Sequence, residues 1–143
     1  MDSCTSRIKQ QRPTAAGKVF PARYDWMDAY LQSKNCALKE YKPSWDATLY
    51  RLQGKIFALL FEDNLNRPIL NLKCDPYIAI EFRESYPHVQ RGYHMNKLHW
   101  VSLYLDGDTP DEVARDLADI SYDLVLHGLS AKLRGQIKAG QCM

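Results

Sequence analysis

Between Tyr24 and Ser33 the apolar residues Trp26, Met27, Tyr30 and Leu31 recur at helical spacing, which predicts a first helix with Asp25 as its N-cap. Lys42-Pro43 stops any helical continuation. Residues Ala47–Leu52 and Lys55–Glu62 then read as two strands joined by Gln53-Gly54, a two-residue hairpin connection in which glycine supplies positive φ. The second of these strands is apolar on both faces. Simple alternation sends Ile56, Ala58 and Leu60 one way and Phe57, Leu59 and Phe61 the other, so a central strand covered twice is expected. Residues 63–68 are turn chemistry, and residues 69–73 make a third strand.

Asp75-Pro76 predicts a helix start, because the carboxylate caps free amides and proline at the first helical position loses no needed donor. That helix is expected to bury Ile78, Ile80 or Phe82 and to stop near Tyr86-Pro87. Residues 89–96 read as loop or short strand, followed by a strand over 100–105 that Asp106-Gly107 closes. Thr109-Pro110-Asp111-Glu112 has the form of a capping box. Behind it Val113, Leu117, Ile120 and Leu124 form an apolar stripe, and Gly128 is placed to end the helix. Ser130 is expected to cap a last short helix carrying Leu133 and Ile137.

These elements predict a single α+β domain over residues 24–139. A chain of 143 residues is long enough to bury one core without cross-links or a structural metal. Residues 1–23 are polar and aperiodic, which predicts a flexible arm, and residues 140–143 a short tail. Cys4, Cys36, Cys74 and Cys142 are far apart and form no C-x-x-C pair. They therefore suggest neither a zinc ribbon nor a redox motif, and because no stretch has the form of a secretory or membrane-spanning segment, a cytoplasmic location is expected, and free thiols with it.

Charge changes the picture in one respect. Residues 1–23 hold five bases against one acid, whereas the rest hold fourteen against sixteen, so the folded part is not basic in bulk. Within it, residues 85–105 contain no acid, while 106–123 hold seven acids and only Arg115. Such a dipolar pattern holds a polyanion on one side or is ordinary solvated surface.

Candidate chemistry concentrates in Tyr93, His94, Met95, Asn96, Lys97, His99 and Trp100. With Arg91 and Lys97 for phosphate, Asn96 for base edges and Tyr93 or Trp100 for stacking, the group suits nucleic acid. It also suits a small phosphorylated or aromatic ligand, or a structural role at a tight chain reversal. Lys73 precedes the Asp75-Pro76 helix start and is a supporting anion contact. Cys74 reads as an unreactive, partly buried thiol. No metal site is expected, since His94 and His99 are five apart and share neither a strand face nor a helix face. Neither a nucleophile elbow nor a carboxylate pair stands out, so the expectation is a protein without enzymatic activity and without a cofactor.

Five segments in order carry a resemblance: Tyr-Asp-Trp-Met-Asp-Ala-Tyr-Leu, Gly-Lys-Ile-Phe-Ala, Asn-Leu-Lys-Cys-Asp-Pro, Gly-Tyr-His-Met-Asn-Lys-Leu-His-Trp and Ser-Tyr-Asp-Leu-Val. Together they resemble the MmcQ/YjbR family, over about residues 24–138. The resemblance implies an α+β fold similar to the CyaY, frataxin-like arrangement, an antiparallel sheet backed by helices, and DNA binding at the matching positions Lys73, Tyr93, His94, Asn96, Lys97, His99 and Trp100. Leu98 stands where many members look to carry a base. This and the slightly acidic domain imply weak to moderate DNA affinity, because counterion release scales with phosphates contacted. A frataxin-like iron role is not expected, as the first helix offers only Asp25 and Asp28. The alternative reading is a small-ligand or protein-partner module with a pocket near His94 and Asn96. A convex basic face would favour DNA, and a deep apolar pocket at His94 a ligand.

Overall fold

In the computed structural model, which describes residues 18–142, six strands form a single antiparallel sheet. The strands are β1 (Leu38–Lys42), β2 (Ala47–Leu52), β3 (Lys55–Glu62), β4 (Pro68–Lys73), β5 (Val89–Arg91) and β6 (Trp100–Tyr104). Their spatial order is β1-β2-β3-β4-β6-β5. Because β4 and β5 each run antiparallel to β6, they are parallel to one another with β6 inserted between them. The helix α2 (Pro76–Ser85) makes that crossover, leaving β5 as a three-residue outer edge.

The remaining helices are α1 (Trp26–Gln32), α3 (Asp111–His127) and α4 (Ala131–Lys138). All four helices share one core with one face of the sheet, centred on Met27, Tyr50, Phe57, Leu70, Leu72, Leu103, Leu117 and Val125. The opposite face carries a smaller cluster of Ala47, Leu49, Leu59, Phe61 and Ile69, partly covered by Tyr93 and Met95. The α+β expectation is met, and several local readings are corrected.

The first correction is a strand. β1, which the sequence reading leaves out, is an edge whose side chains are almost all exposed, so its alternation marks no buried face. The second is a β-bulge. Tyr50 pairs with Ala58 but Arg51 pairs with Ile56, so Phe57 is an extra residue without a partner. Phe57 and Ala58 consequently both join the helix-side core, and Ile56 packs with the other face. The expected hairpin turn is present, with positive φ at both Gln53 and Gly54.

Helix boundaries also differ in their chemistry. Asp25 has helical dihedrals and caps nothing, since a 3-10 turn over Ala22–Tyr24 leads directly into α1. The Thr109 capping box does not form. Pro110 occupies the N-cap, and the Thr109 carbonyl instead accepts hydrogen bonds from Arg23 and the Tyr24 hydroxyl. On α3 the buried stripe runs through Val113, Ala114, Leu117, Ala118, Ser121, Tyr122, Val125 and Leu126, which leaves Leu124 exposed and Ile120 half-buried. On α2, Ala79 is buried and Phe82 half-buried, while Ile78 and Ile80 face solvent. Asp75 and Ser130 do cap α2 and α4 as expected.

The two ends of the described chain are tied in. Lys18 to Arg23, which the sequence reading assigns to the arm, lie against the domain. Phe20 is buried, the Lys18 amide donates to Thr48 Oγ1 at 2.9 Å, and Lys18 pairs with Asp46 and Glu62. The rest of the proposed arm, residues 1–17, lies outside the described residues. Cys36 and Cys142 form a disulfide, which corrects the expectation of free thiols at those positions. Packing brings the pair together: Tyr122 donates to the Asn35 carbonyl at 2.6 Å and Asn35 donates to the Ile137 carbonyl at 3.2 Å, so α4 returns the tail to the α1–β1 connection.

Asp28 on α1 links two elements, accepting from the Tyr50 hydroxyl at 2.7 Å and pairing with Lys39 of β1 at 2.9 Å. Burial alone would raise this carboxyl, but the hydrogen bonds from Lys39 and Tyr50 outweigh it and hold it below the ordinary range. Its contribution is therefore complete above the unfolded value of about 3.9 and is lost as pH falls through the lower folded value. Urea unfolding is expected to show Asp28→Asn less stable than the wild type at neutral pH, with the gap closing towards pH 2.

Candidate functional site

The site begins with a closed ring of hydrogen bonds under residues 92–100. Asn71 on β4 and Ser102 on β6 are fully buried register partners. The Ser102 hydroxyl donates to Asn71 Oδ1 and accepts from the Tyr93 amide at 2.8 Å, while Asn71 Nδ2 donates to the Tyr93 carbonyl at 2.8 Å. Two side chains thus satisfy both main-chain groups of Tyr93 and fix where the β5–β6 loop crosses the sheet. Gly92 is required for the same approach, because a Cβ there would lie 2.8 Å from Trp100 Cβ and 3.0 Å from its carbonyl oxygen.

Several of the expected contact residues have structural work in this loop. The Tyr93 ring is half-buried and stacks on Phe61 with centroids 5.9 Å apart. Asn96 Oδ1 accepts from the Leu98 amide at 2.9 Å and the His99 amide at 3.2 Å, an Asx turn that occupies its acceptor. Lys97 Nζ donates to the Gly92 carbonyl at 3.0 Å and bridges the loop. The His99 carbonyl accepts from the Cys74 amide, which ties the loop to the start of α2. His94 is held at positive φ, 59°, with its ring against Tyr93.

The loop separates two kinds of surface. Along the free edge at β5 lie two adjoining grooves of about 510 and 490 Å³. Arg83 and Arg91 line both, so the grooves form one track that Arg67 and His88 extend at one end and Lys97 and Leu98 at the other. Arg67 is already held by Asp106 at 2.8 Å, and its guanidinium lies over Tyr104. Arg83, Arg91 and Lys97 have no carboxylate within ion-pair distance among the described residues, whereas Lys18, Arg23, Lys34, Lys39 and Arg51 each do. Glu84 lines one groove and lowers its net charge.

On the other side of the loop, Trp45, Ala47, Leu59, Phe61, His94 and Met95 enclose an apolar, half-open pocket of about 310 Å³. Trp45 reaches it from the β1–β2 turn, where Asp46 takes positive φ and the Trp45 amide bonds back to Lys42. Of the sequence-derived residues, Arg91 and Lys97 therefore meet in the grooves, and His94 lies in the pocket with Tyr93 packed beside it. Lys73, His99 and Trp100 line neither cavity. Sequence reasoning alone does not bring Arg83, Arg67 or Trp45 to these surfaces. Arg83 was recoverable, since Pro76, Ile80 and Arg83 share one face of α2 at i, i+4 and i+7.

Burial pushes the Cys74 thiol up to about 11, so the α2 N-terminus does not activate it. Among the described residues no three His, Cys, Asp or Glu side chains gather as a metal cage, and no helix is long and apolar enough to cross a membrane.

Comparison with known proteins agrees with this architecture. A Deinococcus radiodurans protein with the family domain DUF419 superposes with a TM-score of 0.69 at 28% identity, covering 80% of this chain and 86% of its own. A Pseudomonas syringae structure, 24% identical, superposes with a TM-score of 0.61 over 71% of this chain and 97% of its own, and shows the fold alone. In sequence, the uncharacterized protein YbdF of Escherichia coli O157:H7 is 35% identical over 70% of this chain and 80% of its own length. The uncharacterized protein YjbR of Escherichia coli strain K12 is 33% identical over 73% of this chain and 88% of its own. The YjbR family model matches residues 33–124, from the α1–β1 connection through most of α3 and so across the whole sheet, and the chain belongs to that family.

Proposed function

We propose that this chain is a non-enzymatic nucleic-acid-binding protein, with DNA as its ligand, that takes phosphates along its β5 edge. The observation that carries the reading is the placement of Arg83, Arg91 and Lys97 on one continuous track with no acid paired to them among the described residues. Cations already neutralised by a carboxylate contribute little to a polyanion, whereas free guanidinium groups give charge-assisted bonds to phosphate oxygens. With about three such contacts and Glu84 opposing them, affinity is weak to moderate.

Fluorescence anisotropy of labelled DNA across a salt series tests this. A slope of log K against log salt near −2 to −3 is expected, since each phosphate contributes about −0.7 on single strands and −0.9 on duplex. Arg83→Ala with Arg91→Ala should remove about two phosphate contacts from that slope and weaken binding at least tenfold at low salt. A salt-independent affinity, or an unchanged double variant, would sink the reading. The apolar pocket at His94 is the observation that favours a small ligand instead. A thermal-shift hit lost in His94→Ala, without salt-dependent DNA binding, would move the assignment there.

A further inference from the structure

We propose that the apolar pocket beside His94 receives one unstacked base of a single nucleic-acid strand whose phosphates run in the β5-edge grooves. The inference rests on the nucleic-acid reading and makes it specific, replacing DNA in general with strands whose bases are free to turn outward.

Three observations lead there. The pocket presents three flat rings, Trp45, Phe61 and His94, and its remaining lining is aliphatic or thioether, a surface suited to a base's π-face. Trp45 is 52% exposed at the tip of its hairpin turn, so one wall is an open platform. At about 310 Å³ the space lies at the small end of ligand sites and suits a single ring system.

The second observation is adjacency. His94 and Met95 line the pocket, and Lys97 and Leu98 line the groove, so one loop forms the wall of both. His94 and Lys97 are three residues apart, which limits their Cα separation to about 10 Å. A strand rising about 3.4 Å per nucleotide covers that span in three nucleotides, and an extended one in fewer.

The third is charge. Lys42 Nζ lies over the Trp45 ring, 4.9 Å from its centroid, and places a cation on one face of the platform. The nearby acids Asp46 and Glu62 are both paired with Lys18 and so are partly neutralised towards an anionic strand. A duplex keeps its bases paired and stacked, and thus fills the grooves without entering the pocket.

The test compares three probes on the full chain: an oligothymidylate of about twelve nucleotides, the same strand with abasic sites, and a duplex of equal length. Trp45→Ala and, separately, His94→Ala are measured, with far-UV circular dichroism confirming that each folds. The wild type should prefer the oligothymidylate to both other probes. Trp45→Ala should weaken the oligothymidylate by about 5- to 150-fold, leave the abasic strand and the salt slope unchanged, and abolish the quenching of tryptophan fluorescence on binding. Equal affinity for all three probes, or an unchanged Trp45→Ala, overturns the base pocket. If the Arg83 and Arg91 double variant still loses affinity in that case, the phosphate track stands without it. No binding of any probe at low salt removes both. A change of oligomeric mass in Trp45→Ala by light scattering would assign the pocket to a second copy of the chain and overturn the proposal.

Discussion

Reducing the bond between Cys36 and Cys142 is expected to lower the unfolding free energy by about 3 to 5 kcal/mol, because this cross-link closes nearly the whole folded chain. The two residues are 106 positions apart. In the chain-entropy model a loop of roughly 100 residues restricts the unfolded ensemble by about 4.7 kcal/mol. The native contacts around it do not depend on the sulfur bond, since Tyr122, Asn35 and Ile137 already dock the tail by hydrogen bonds. The effect should therefore appear as a fall in melting temperature of roughly 10 to 20 °C, with little change in the folded spectrum. Denaturation with and without reductant, and of Cys142→Ser, measures it. Reduced and oxidised protein melting together would show that the bond contributes nothing.

Asn71→Ala should be the most damaging single change beneath the candidate site. It leaves the buried Ser102 hydroxyl without its acceptor and the Tyr93 carbonyl without its donor. Each orphaned buried group costs about 1 to 3 kcal/mol, and the missing amide leaves a small void, so a loss of about 3 to 5 kcal/mol is expected. The distribution of that loss is informative. Because Tyr93 is the anchor of the loop between the grooves and the pocket, hydrogen exchange should quicken first over residues 92–99, ahead of the strands. Uniform acceleration across the sheet would mean that the ring stabilises the core and not the loop. Asn71→Asp is a sharper variant of the same test, as it keeps the shape but removes the amide donor to Tyr93 and adds a buried charge.

The elements themselves are legible because turn and cap signals punctuate the chain, even where the buried faces of α2, α3 and β3 depart from simple periodicity. The hairpin at Gln53-Gly54, the Asp75-Pro76 cap and the Ser130 cap are local signals, each decided within a few residues, and each formed. What failed depended on distant partners. Thr109 has the right neighbours for a capping box, yet Arg23 and Tyr24, some 85 residues earlier, claim its carbonyl. Cys36 and Cys142 carry no spacing signal, since only the docking of α4 makes them neighbours. β1 is hidden by being an edge, and the expected α3 stripe holds at Val113 and Leu117 but departs at Ile120 and Leu124, because the buried face continues through Ala118, Ser121 and Val125. At the site, the sequence marks residues 92–100 as one segment and leaves open whether it contacts a ligand or only shapes a tight chain reversal. Its side chains instead divide between two cavities and the loop's own hydrogen bonds, and the missing partners Arg83 and Trp45 come from α2 and the β1–β2 turn.

The unpaired residue at Phe57 has a consequence for how such chains vary in length. In an ordinary strand, adding or deleting one residue transposes the two faces from that point on and would bring Leu59 and Phe61 into the helix-side core. At the bulge the register already absorbs one surplus residue. Loss of a residue here would restore strict alternation from Ile56 to Glu62 while leaving the pairing of Thr48 with Leu60 intact. The centre of the sheet thus contains a position where the chain can shorten by one without changing which side chains face the pocket.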